Sequence, residues 1–193
     1  MRRVIVGGIL GGLVLFVWSF VSHDLLPLGT AGLRTMAPAQ EAAVLSAMRG
    51  AMNEQALYLF PGMDPSGKMT KEQQHDWSTR YADGPAGVIG YNPHPAARAS
   101  AEMLFPTLFI TELLCDVLAG LIAAVVISHV PSRLGLLRRA LLVGLLGVLM
   151  TVDVDFSYWN WYGFPMTYTL AQLIDHGVGY CLVGLVVAGI CHE

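Results

Sequence analysis

Four long apolar runs constrain this chain more than any other feature: Val4 to Ser22, about Met103 to Val130, about Ala140 to Phe156, and about Pro165 to Cys191. A helix rises about 1.5 Å per residue, so a hydrocarbon layer of ~30 Å needs roughly 20 such residues. Each run therefore reads as a membrane-crossing helix. Charged residues make up 13% of the chain, half the roughly 25% of an ordinary soluble domain. A net charge of −3 and the lack of any Lys/Arg cluster argue against a nucleic-acid partner. Cys115, Cys181 and Cys191 all fall in apolar runs, so no disulfide framework holds the polar part and no metal-ligand cysteine spacing occurs.

Orientation follows from basic residues in short flanks, which stay on the cytoplasmic side. Arg2 and Arg3 precede the first run, and Arg133, Arg138 and Arg139 lie between the second and third. The segment between the third and fourth carries no Lys or Arg. The expected plan is transmembrane helix 1 in 1–27 (a retained anchor rather than a cleaved signal) and an extracytoplasmic α+β segment in 28–102. Helix 2 follows in 103–130, a cytoplasmic basic loop in 131–139 and helix 3 in 140–156. An extracytoplasmic aromatic loop in 157–164 leads to helix 4 and a short cytoplasmic tail in 165–193. The fold class is an all-α membrane protein, a four-transmembrane-helix bundle with a small extracytoplasmic α+β cap between helices 1 and 2.

Within the cap, Pro38 to Met52 has Val44, Leu45 and Met48 on one helical face. Ala56–Phe60 and Ala86–Tyr91 read as short strands, and Thr70 with Gln73 forms a capping box that opens a helix through Tyr81. The two strands are expected to pair with the helices packed on them. A unit this small rarely stands alone, so it is expected to roof the outer ends of the helices.

Ionisable residues inside apolar runs are the main pointers to function. The second run carries Glu112 and Asp116, the third Asp153 and Asp155, the fourth Asp175 and His176, and the first ends in His23 and Asp24. Charge inside a bilayer is costly, so such groups normally face the bundle interior or water. Towards the cytoplasm each later run continues without charge, over Val117–Val130, Ala140–Val152 and Gly177–Cys191. These stretches span about 20 Å of helix, so the polar groups form one layer near the outer interface. Helical spacing joins Thr111, Glu112, Cys115 and Asp116, and in the last run Gln172, Asp175, His176 and Gly179. The candidate ligand-binding layer is Glu112, Asp116, Asp153, Asp175, His176 and Gln172.

Three readings of this layer stand side by side. In the structural reading Glu112 or Asp175 is neutral and bonded to Gln172, Thr111 or a backbone carbonyl, while Asp155 and Asp24 sit among headgroups. In the binding reading the layer holds a polar ligand or a divalent cation, with Glu112, Asp116, Asp175 and His176 as metal ligands. Its carboxylates share the layer with no Lys or Arg, so each must be protonated, bind a cation, or meet Arg34, Arg80 or Arg98 from the cap. In the third reading Asp175 or Glu112 works with His176 in a membrane hydrolase. Cys191 and His192 form a further soft-metal pair near the C-terminus. The first run carries Gly7, Gly8, Gly11 and Gly12, overlapping GxxxG patterns usable inside the bundle or between copies.

The glycine-rich first run and the segment Trp159-Asn160-Trp161-Tyr162-Gly163-Phe164-Pro165 together resemble small bacterial inner-membrane proteins of four helices with a WNWYGFP-like loop. The resemblance implies a bacterial inner-membrane location and assigns no activity and no functional residue. The aromatic residues themselves read as an interfacial belt. The leading expectation is a non-catalytic accessory, structural or assembly component of the inner membrane. The alternatives are a cation- or polar-ligand-binding protein, as a transporter component, and a membrane hydrolase. The partners expected are the lipid bilayer and further copies or a larger membrane complex.

Overall fold

The computed structural model describes residues 1–64, 66–94 and 101–191. In chain order its elements are α1 (Arg2–Phe20), α2 (Pro38–Ala51), β1 (Ala56–Phe60), α3 (Lys71–Asp83) and β2 (Gly87–Tyr91), then α4 (Leu104–Ser128), α5 (Gly135–Met150), α6 (Phe156–Tyr162) and α7 (Met166–Ile190). A π-helical turn, Val21–Leu25, continues α1, and another, Thr151–Asp155, joins α5 to α6. Two compact units result. One comprises Met1–Leu33, Ala99–Ser157 and Pro165–Glu193, the other Arg34–Arg98 and Tyr158–Phe164.

In the first unit α1 packs along α4 on one side and α7 on the other, and α5 packs along α7. The lateral order is thus α4, α1, α7, α5. Consecutive helices α4 and α5 barely touch. Glycine allows the close approaches. A Cβ at Gly12 would run into the Val117 backbone, and one at Gly120 into the backbone of Gly8 and Gly12. Between α5 and α7, Gly147 lies against the His176 carbonyl and Gly184 against the Ala140 backbone. The glycine face of α1 is therefore taken up inside the chain.

The core this makes is built of modest side chains: Leu15, Ala123, Ala124, Ile127, Val143, Val183, Val187 and Ala188. Larger apolar residues such as Leu118, Ile122, Leu145, Leu149 and Ile174 point outward and are exposed. Small inside and large outside is the pattern of helices whose surroundings are themselves apolar. Four helices, Arg2–Leu25, Leu104–Ser128, Ser132–Tyr162 and Met166–Ile190, are long and apolar enough to cross a membrane.

The third of these is 31 residues long, so both expected loops around it are corrected. The basic segment 131–139 holds a single 3-10 turn, Ser132–Leu134, and α5 starts at Gly135. The aromatic segment is helical through Tyr162, because nothing in it breaks a helix before Gly163, which takes φ +71.

In the second unit β1 and β2 pair antiparallel, from Ala56 opposite Tyr91 to Phe60 opposite Gly87. Tyr58 and Tyr91 meet edge to face at 6.1 Å. Helix α3 opens as expected: the Gln73 N–H donates to Thr70 Oγ1, and Gln73 Oε1 accepts from the Thr70 N–H. The expected packing of helices on the strands does not form. Neither α2 nor α3 buries a residue; α3 is polar apart from Trp77, Tyr81 and Ala82, and the Trp77 indole donates to the Pro61 carbonyl at 3.1 Å. Of the residues thought to answer the acidic layer, Arg98 lies outside the described residues.

Candidate functional site: an acidic cavity among the helices

The cavity lies within the first unit, where the C-terminal end of α1 meets the N-terminal halves of α4 and α7 and the end of α5. Its polar groups are placed by helix register. Asp116 lies one helical turn after Glu112, and Asp175 and His176 sit one turn after Gln172. The π turn after α1 carries His23 and Asp24. Widened turns of this kind re-aim side chains and recur at functional sites. His23 Nδ1 lies 3.0 Å from the Ser19 carbonyl and 2.9 Å from the Ser22 hydroxyl.

The space is half open and about 470 Å³ in volume. Glu112, Asp116, Gln172, Asp175 and His176, all expected from sequence, line it together with His23 and Asp24. Leu15, Phe16, Phe20, Met150 and Tyr180 add apolar and aromatic lining. Among the described residues, no Lys or Arg lines it. Asp116 is close enough to Glu112 and Asp175 for both charges to act on it. The Trp18 indole donates to the Asp175 backbone carbonyl at 3.0 Å and pins α1 to α7 beside the cavity. Gly179 makes room for that ring.

Asp116 and Asp175 define the electrostatics. Each is 7% exposed. Asp116 Oδ2 and Asp175 Oδ1 are wholly buried and have no hydrogen-bond partner among the described residues. A buried polar atom without a partner costs roughly 1 to 3 kcal/mol, more when charged. The bonds to Gln172 and Thr111 expected under the structural reading are not made. Thr111 Oγ1 donates instead to the Thr107 carbonyl at 2.8 Å.

Asp153 is exposed and does not line the cavity, and its neighbour Asp155 turns inward. Asp155 is 5% exposed, with Oδ2 3.7 Å from His176 Nδ1. The same nitrogen lies 2.8 Å from Thr151 Oγ1. Asp155 thus faces the bundle interior. The signal that could have found it is the small-residue stripe Gly147, Thr151, Asp155, spaced four apart and continuing the face that α5 presents to α7.

The metal reading is not carried by the geometry. Among the described residues, no group of three or more His, Cys, Asp and Glu is placed to hold a metal ion. Of the Cys191–His192 pair, His192 lies outside the described residues, and Cys191 Sγ lies 3.6 Å from the Arg3 carbonyl.

Arg139 is the residue sequence reasoning missed. Counted as a loop charge, it is only 2% exposed. Its guanidinium donates to the carbonyls of Ala188 and Cys191, both at 3.1 Å, and of Ile127 at 3.3 Å. The last carbonyls of a helix lack intrahelical partners and carry partial negative charge. One planar cation satisfies the ends of α4 and α7 together.

Length and apolar composition place the chain among candidate membrane proteins with four crossing helices, and its cavity adds an acidic interior. Comparison with protein families, curated proteins and solved structures finds no match to this chain.

Proposed function

We propose that this chain is a multi-pass inner-membrane protein that binds a cation in its acidic cavity, as a component of a transport or assembly system. The observation that carries the reading is the pair of buried carboxyl groups, Asp116 and Asp175, each with one oxygen unpartnered among the described residues, lining one cavity where the described basic residues are histidines alone. Uncompensated charge of this kind calls for a positive occupant. In the proposed topology both termini and Arg2, Arg3, Arg133 and Arg138 are cytoplasmic, so 28–102 and the cavity mouth lie outside. The hydrolase reading, Asp175 or Glu112 with His176, draws less support, since the contacts of His176 Nδ1 are to Thr151 Oγ1 at 2.8 Å and Asp155 Oδ2 at 3.7 Å.

The test is cation binding by detergent-purified protein. Elemental mass spectrometry and thermal unfolding against a panel of inorganic and organic cations would compare wild type with Asp116→Asn/Asp175→Asn. Saturable stabilisation by a cation, lost in the double variant, is expected. Equal responses from both proteins to every cation would return the layer to a structural role.

A further inference from the structure

The same cavity limits what kind of cation it can take, and this step rests on the reading just given. A bare metal ion needs several ligands converging within about 2 to 2.6 Å, and no three suitable side chains among the described residues are so placed. The volume of about 470 Å³ is also many times that of an ion. Part of the lining is unsuited to water-bound metal: Phe16, Phe20 and Tyr180 bring aromatic rings, and Leu15 brings an aliphatic side chain. The two unpartnered carboxyl groups come from different helices, Asp116 from α4 and Asp175 from α7. Each is more than nine-tenths buried. An ammonium head offers three N–H donors, enough for two carboxylates and one neutral acceptor. Aromatic faces attract such a cation, and apolar surface accepts the carbon skeleton attached to it.

We infer that the cavity is a site for a small organic amine, bound as its ammonium ion between Asp116 and Asp175 with its apolar body against the Phe16, Phe20 and Tyr180 wall.

Benzylamine is a suitable probe, with benzyl alcohol as a neutral analogue that partitions into lipid and benzyltrimethylammonium as a cation with no N–H donor. Equilibrium dialysis would be run on the full chain in lipid nanodiscs, with zinc and magnesium tested alongside. Saturable benzylamine binding is expected, and the alcohol should not compete. The trimethylated cation should bind at least about tenfold more weakly, as should benzylamine to Asp116→Asn or Asp175→Asn, each change removing charge-assisted hydrogen bonds. Asp153→Asn, which alters an exposed acid outside the cavity, should bind like wild type, and unchanged unfolding temperatures would show that the variants remain folded. Metal binding lost in the Asn variants, with no amine binding, would overturn this assignment while leaving the cation reading in place. Binding of neither would remove both. Equal binding of the amine and the alcohol would mark an apolar site and overturn the ammonium assignment.

Discussion

Arg139 and Asp116 show how differently a buried charge can be treated within one molecule. Arg139 donates to three carbonyls at two helix ends, so removing it would take that donor from Ala188 and Cys191 and leave Ile127 with the Val130 N–H alone. Arg139→Gln is expected to destabilise by about 3 kcal/mol, since hydrogen bonds to charged groups contribute roughly 1.5 to 3 kcal/mol. Arg139→Lys should recover only part of this, because a point charge cannot span the same fork. Thermal unfolding in detergent would read both, and equal stability of all three proteins would contradict the capping role. Asp116 has no such shell. Asp116→Asn replaces a buried acid, one oxygen of which has no partner among the described residues, so its unfolding temperature should equal or exceed that of wild type. A clear drop would mean that the carboxylate has a partner in the protein. Thr151→Val keeps the shape and removes the hydroxyl beside His176, and should cost about 1 kcal/mol.

At the scale of elements, glycine placement decides which helices can touch. Gly12→Val would push a branched side chain into the α4 backbone. Overpacking of this kind typically costs 1 to 3 kcal/mol, here at about the upper end because backbone cannot step aside. Gly50 has nothing within 4 Å of an added Cβ, so Gly50→Ala should stabilise α2 by about 0.5 kcal/mol or slightly more. Paired melts of the two variants check both signs. Much of this level was legible beforehand. Unbroken apolar length gave all four long helices, the Thr70–Gln73 spacing gave the capping box, and the two turn-bounded runs gave a strand pair. What escaped depends on contacts rather than on local pattern. Whether Arg139 faces solvent or two helix ends is a tertiary fact. The inward turn of Asp155 instead of Asp153 follows from which face of α5 meets α7. Helix α6 escaped because aromatic residues were read as an interface signal, although none of them stops a helix.

For the whole molecule, the topology and the cavity stand or fall separately. Ser66 and Ser132 are both exposed and fall on opposite sides in the proposed arrangement. In a background with the native cysteines replaced, Ser66→Cys should react with a membrane-impermeant maleimide in intact cells and Ser132→Cys should not. The reverse pattern would invert the topology and place the cavity mouth in the cytoplasm. The acidic layer was legible as a layer, because charge is conspicuous in apolar runs. Its enclosure was not, since that depends on the lateral order of helices, which no sequence spacing encodes.

That lateral order has a consequence for how the protein is made. Helix α4 emerges after α1 and finds its partner already in the bilayer, whereas α5 follows α4 directly and has almost no contact with it. The third crossing segment must wait, unpaired, until α7 is synthesised. A chain ending at Tyr162 should therefore retain a protease-resistant pair of its first two spans and lose the third to quality control. Pulse-chase with limited proteolysis would follow both fragments, and supplying α7 as a separate peptide should rescue the third. The last helix to be translated is thus the one on which completion of the molecule depends.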